Sequence, residues 1–198
     1  MRVGNDVVDL RDAESQPDAL HPRWDSRVFT AEELARLSQP GARHALRWRL
    51  WAAKESAFKV ARKVNPTLSF FPLAFTVELT DASHALVHHE LGRFCVRLEE
   101  TAEYVHAVAS PEGSSPPFST VEALHSTASV ASNQVRDMAR HAVAALLDLD
   151  PTDLEISSVD GVPVAVSMGA ELPVDLSLSH HGRFVACAWT GSGPSRET

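Results

Sequence analysis

The sequence predicts an α+β protein of two pseudo-repeated lobes, each a long helix packed on a small antiparallel sheet. Three observations carry that expectation. Apolar residues recur at helical spacing from about Ala42 to Lys63 and again from about Val130 to Leu149, and each run gives way to segments of period two. Both halves close on similar strands, Tyr104-Val-His-Ala-Val-Ala109 and Phe184-Val-Ala-Cys-Ala-Trp189. Between them, Ser110-Pro-Glu-Gly-Ser-Ser-Pro-Pro-Phe118 has the composition of a linker. The expected division is a first lobe over 1–112, a linker over 113–120, a second lobe over 121–190 and a frayed tail over 191–198.

In chain order, Arg2 to Leu10 reads as a short strand, with β-branched Val3, Val7 and Val8 and with Gly4 permitting a bend or close approach. Asp6 is then a carboxylate inside a strand, which places it at an edge, in an ion pair or on a cation. Arg11 to Phe29 reads as a surface excursion. Thr30-Ala-Glu-Glu33 is a capping box opening a short helix that Pro40-Gly41 ends. Phe75 to Ala109 reads as a meander of about four strands. Beyond the second helix, Asp150-Pro151 caps a short turn, and strands follow over 154–158, 162–167, 174–179 and 184–189, with Asp160-Gly161 turning the first pair.

The totals exclude several classes. The 198 residues are 44% hydrophobic and 22% charged, ordinary for a globular protein, and no apolar run approaches the ~20 residues of a membrane helix. The amino terminus lacks the order of a signal peptide, so a cytoplasmic protein is expected. A net charge of -8 argues against nucleic acid as partner. Cys95 and Cys187, both in alternating apolar segments, are expected to be buried free thiols rather than a disulfide or metal cluster. Between Gly41 and Lys63, seven basic residues face one acid, Glu55, which suggests a basic surface suited to an acidic partner.

That segment contains Trp51-Ala-Ala-Lys-Glu-Ser-Ala-Phe-Lys59. On a helix, Glu55 and Lys59 share a face, Trp51 lies one turn before Glu55, and Lys54 lies to the side. Alone, the pair reads equally as a solvated ion pair. Two further stretches, Gly4-Asn5-Asp6 and Ser179-His180-His181-Gly182-Arg183, change that.

Together the three stretches resemble the 4'-phosphopantetheinyl transferases, enzymes with a Gly-x-Asp strand, a Trp-x-x-Lys-Glu-Ser helix continuing to a second lysine, and a Ser-His-x-Gly-Arg turn. The likeness covers most of the chain. The lobe order is reversed relative to the two-lobe, surfactin-synthetase-activating type, as in a circular permutation, while the amino-terminal half also looks like the single-lobe holo-acyl-carrier-protein synthases. Two positions depart from the pattern. Val8 stands where the two-lobe enzymes carry a second acid, with Asp9 following it, and Val162 stands where a lysine is frequent.

The resemblance implies a Mg²⁺-dependent enzyme that moves phosphopantetheine from coenzyme A to a serine of an acyl or peptidyl carrier protein, in fatty-acid synthesis or secondary metabolism. It implies Asp6 and Glu55 as metal ligands, Glu55 and Lys59 as catalytic groups, and Ser179, His180, Lys54, Lys59, Arg136 and Arg140 as coenzyme A contacts. Asp9 is left as a supporting residue. The site would lie between the lobes of a monomer. A binding homologue without efficient catalysis, with Val8 and Val162 as the losses, and a plain interaction domain are the alternatives.

Overall fold

The computed structural model of the chain describes residues 1–39, 44–124 and 130–191. The chain opens with β1 (Gly4–Asp9), a 3-10 turn at Ala13–Ser15, and the helices α1 (Trp24–Val28), α2 (Ala31–Leu37) and α3 (His44–Val64). β2 (Thr76–Leu79), β3 (His84–His89), β4 (Gly92–Glu100) and β5 (Tyr104–Pro111) then form the expected meander. These five strands make one antiparallel sheet in the order β1-β5-β4-β3-β2. Helix α3 lies across it. Its interior has neither glycine nor proline, and Ala52, Ala53, Ala57 and Ala61 are all fully buried, so the helix settles close to the strands through small side chains.

The second lobe contains β6 (Phe118–Ala123), α4 (Ala131–Leu147), β7 (Leu154–Val159), β8 (Val162–Ser167), the two-residue β9 (Ala170–Glu171), β10 (Asp175–His181) and β11 (Phe184–Thr190). Its strands form two sheets, β10-β11-β6 and β7-β8-β9, with β8 lying against β10. Val135, Met138, Ala139 and Val143 of α4 pack on Leu154, Ile156, Leu176, Val185 and Cys187. Each lobe pairs its first strand with its last, β1 with β5 and β6 with β11, and its last with the one before. The architecture is the expected α+β pair of lobes.

Several details differ from the expectation. Strand β6 begins at Phe118, inside the segment read as linker, because it completes the second lobe by pairing with β11. The excursion over 11–29 is not all surface: Val28 and Phe29 are buried, and the Trp24 ring lies 5.4 Å from both Trp48 and Trp51. Cys95 is exposed, since it alternates with Phe94 and Val96, which face the helix; Cys187 is buried, and both thiols are free. The capping box is present, with Thr30 accepting from the Glu33 amide and Glu33 accepting from that of Thr30. The stop at Pro40-Gly41, the helix start at Ala42, Arg43 and residues 192–198 of the tail lie outside the described residues.

Candidate active site

β1 and α3 create the first half of the site by close approach. A Cβ built on Gly4 would fall 2.0 Å from the Ser56 carbonyl oxygen and 3.1 Å from Lys59 Cβ, so only glycine allows the helix backbone this near. Two residues on, Asp6 faces the same helix. Lys59 Nζ lies 3.2 Å from Asp6 Oδ1 and donates to the Asn5 carbonyl at 2.7 Å. The Asp6 carboxyl is pushed up to about 7, first by burial and further by the neighbouring Glu55 carboxylate, while Lys59 opposes the rise. Lys59 is thus the ion-pair partner of Asp6, and the Glu55 carboxylate lies near enough to raise Asp6, which leaves two hard acids that a divalent ion could join.

On the opposite edge, β1 meets the second lobe. The amides of Val3, Asn5, Val7 and Asp9 donate to Asp175 Oδ2 (2.6 Å), Ser177 Oγ (2.8 Å), Ser179 Oγ (2.8 Å) and His181 Nδ1 (3.2 Å). Lys63 Nζ closes one end, donating to the Val3 and Leu176 carbonyls and to Asp175. Because β10 alternates, His180 faces the other way, into a cleft of about 220 Å³ beside α4 that Arg136, Ser132, Ser157 and Gly161 also line. Arg62 of α3 reaches that rim, donating to the Asp160 carbonyl. Arg136 therefore meets His180 in one cleft, and Arg140 lies one turn along in an adjoining groove, bonded to Asp137.

One expected contact is corrected, and one supporting residue finds its partners. Lys54 cannot touch a coenzyme: it is fully buried, paired with Glu33 at 2.8 Å, and donates to the Pro72 and Phe75 carbonyls. Asp9, expected as a supporting residue, spends its carboxylate on Arg183 and the Arg11 amide. One carboxylate oxygen accepts from the Arg11 amide and Arg183 Nη2, and the other from Arg183 Nε and its backbone amide. Burial alone would raise that carboxyl, and these bonds more than offset it, holding it down at about 2. Ser179 lines the cleft but its hydroxyl accepts from the Val7 amide.

The expected basic surface is largely spent inside the protein. Arg47 pairs with Asp25, Arg49 with Glu100, Lys54 with Glu33, Lys59 with Asp6 and Lys63 with Asp175. Among the described residues, Asp12, Glu14 and His181 also bring ligand atoms within 4.8 Å of one another. His181 Nδ1 already accepts the Asp9 amide proton, so that ring nitrogen is committed to the contact between β1 and β10. Sequence reasoning missed this use of Asp175, Ser177, His181, Lys63 and Arg183. The polar residue at every second position of β10 was its available signal.

A family model described as the 4'-phosphopantetheinyl transferase superfamily matches residues 2–109. The chain belongs to that superfamily. The match spans β1 through β5 and so takes in Asp6, Glu55 and Lys59, while His180 and Arg136 lie beyond it. A comparison with curated proteins finds no match to the chain. Membership makes the protein a phosphopantetheinyl transferase in general terms, and no helix among the described residues is long and apolar enough to cross a membrane.

Proposed function

We propose that this superfamily member transfers 4'-phosphopantetheine from coenzyme A to a serine of an acyl or peptidyl carrier protein, releasing adenosine 3',5'-bisphosphate. The observation that carries the reading is the Asp6, Glu55 and Lys59 constellation, assembled from two elements by a glycine contact on the same β1 whose other edge binds the second lobe. The donor set fits Mg²⁺, with two hard carboxylates. When bound, the ion neutralises the pyrophosphate.

The chain's own groups then divide the work. Arg136 and His180 hold the phosphates of coenzyme A from the second lobe, with Arg140 close by. Glu55 takes the proton from the carrier serine as its oxygen bonds to the β-phosphorus. The bond to the α-phosphate oxygen breaks, and Lys59 offsets the negative charge that the departing nucleotide gains. Having both lobes in one chain supports a monomer, and the same proposal takes the protein to be cytoplasmic, in keeping with carrier modification, and without a nucleic-acid partner, in keeping with its net charge of -8. Of the segment 113–120, the part before β6 at Phe118 stands as the proposed linker, and 191–198 as the proposed tail.

The test is the intact mass of an apo carrier protein after incubation with this protein, coenzyme A and Mg²⁺. A gain of ~340 Da, the moiety this group-carrier chemistry delivers, should appear and should vanish with Glu55→Ala or a chelator. No gain across several acidic carriers, with coenzyme A still bound, would support the binding-only alternative.

The raised Asp6 carboxyl gives a second expectation. A cation must displace its proton below about pH 7, so Mg²⁺ measured by calorimetry should bind roughly tenfold more weakly at pH 6 than at pH 8. The sign on stability is opposite. In protein without Mg²⁺, a carboxyl raised on folding stabilises the fold below its unfolded value of 3.8, and that contribution is lost as the pH rises through about 7. Asp6→Asn should weaken Mg²⁺ and flatten both profiles; equal affinity of the unaltered protein at pH 6 and 8 would show that the Asp6 carboxyl is not raised, and unchanged affinity in Asp6→Asn would remove Asp6 as a ligand.

A further inference from the structure

The contact between β1 and β10 has an unusual chemistry. A sheet edge normally bonds to another backbone, yet here four alternate amides of β1 donate to four alternate side chains of β10. The partners keep one constant offset in sequence, 172 residues, so the strands run parallel without slippage. Even-numbered positions of β1 face α3 and carry Asp6; odd-numbered ones are bound to the second lobe. His180 sits between two rungs, Ser179 and His181. The ladder therefore relates the group proposed to hold coenzyme A phosphates to the carboxylate proposed to hold the cation.

Arg183 locks the end of this ladder nearest the β10–β11 turn. Its Nε and Nη2 form a two-pronged pair with Asp9 at 2.8 Å each, its own amide donates to the same carboxylate at 2.9 Å, and Nη1 reaches Glu103 at 3.3 Å. Gly182 makes room for it. Its φ is +53°, and a Cβ there would lie 2.6 Å from Asp9 Oδ2. The guanidinium also covers the Phe184 ring at 5.2 Å. Asp9 is buried, and among the described residues Arg183 and the Arg11 amide are the donors that compensate its lost water. Coenzyme A spans both lobes in the reading above, so it can satisfy its two ends only while the ladder holds register.

We propose that Arg183 is a positioning residue for phosphopantetheinyl transfer, fixing His180 in β10 against Asp6 in β1 through its clamp on Asp9. The proposal rests on the coenzyme A reading given above. Of Ser179-His180-His181-Gly182-Arg183, His180 then projects into the cleft and the other four hold the lobes in register.

The experiment compares the unaltered protein with Arg183→Ala, Arg183→Lys and Asp9→Asn, titrating coenzyme A and Mg²⁺ separately by calorimetry and following amide hydrogen exchange. Arg183→Ala should weaken coenzyme A at least tenfold, leave Mg²⁺ affinity within twofold, and speed exchange at the amides of Val7 and Asp9. Lysine, which keeps the charge but not the two-pronged geometry, should give an intermediate loss. If the alanine variant does not fold, Arg183→Lys and Asp9→Asn carry the same comparison. A lower melting temperature with unchanged coenzyme A affinity in the folded variants would overturn the positioning role alone. An unaltered protein that does not bind coenzyme A would overturn the functional reading and this role with it.

Discussion

Lys54→Met should lower the unfolding free energy by ~3–5 kcal/mol, the cost of breaking a buried ion pair from one side. Lys54 is fully buried and satisfies three acceptors, the Glu33 carboxylate and the carbonyls of Pro72 and Phe75. Burial pulls its pKa down and Glu33 restores part of it, so the ammonium is held by its partner. Glu33 in turn accepts from the amides of Thr30 and Val77, which ties the start of α2, the middle of α3 and the first strand of the meander to one charge. Methionine fills similar volume but leaves Glu33 charged and unpaired. Chemical denaturation measures the loss, and Glu33→Gln with Lys54→Met should recover much of it, since the isolated charge is what costs. A Lys54→Met protein of unchanged stability that has lost coenzyme A affinity would return Lys54 to the active site.

The sequence reveals the candidate site best where one element or one spacing decides. Glu55 and Lys59 share a face by helical geometry, and Gly4-x-Asp6 reads directly as a close approach followed by an acid; the structure brings Asp6 and Lys59 into contact. Lys54 shows where such reasoning stops. It lies one residue from Glu55, and the helical wheel cannot tell inward from lateral until Glu33, on another helix, supplies a counterion. The ladder was harder still. Asp175, Ser177, Ser179 and His181 alternate as an amphipathic strand would, and period two alone suggests a solvent face; only β1, from the far end of the chain, turns that face into an interface. β6 was lost for a related reason: Pro116 and Pro117 precede it, and what makes it a strand is pairing with β11. The placement of Cys95 needed no tertiary knowledge, because the buried Phe94, Val96 and Leu98 already assign the other face to it.

Gly4→Ala should cost more in transfer than in stability. A single Cβ would meet the Ser56 carbonyl oxygen at 2.0 Å, and that atom belongs to a helix backbone that no rotamer can move aside. Helix α3 must therefore shift from β1, and it cannot do so freely, because Lys63 bonds it to Val3, Asp175 and Leu176. Overpacking of this kind destabilises by ~1–3 kcal/mol or somewhat more. The displacement falls on the residues between Ser56 and Lys59, so it alters the approach of Lys59 and Glu55 to Asp6. A misplacement of ~1 Å in a reacting constellation lowers rate about 100-fold. Transfer measured well below the melting temperature should fall by about that factor, with carrier affinity unchanged. A stability loss with full transfer rate would mean that the contact between β1 and α3 serves packing alone, and that Asp6 and Lys59 do not act together.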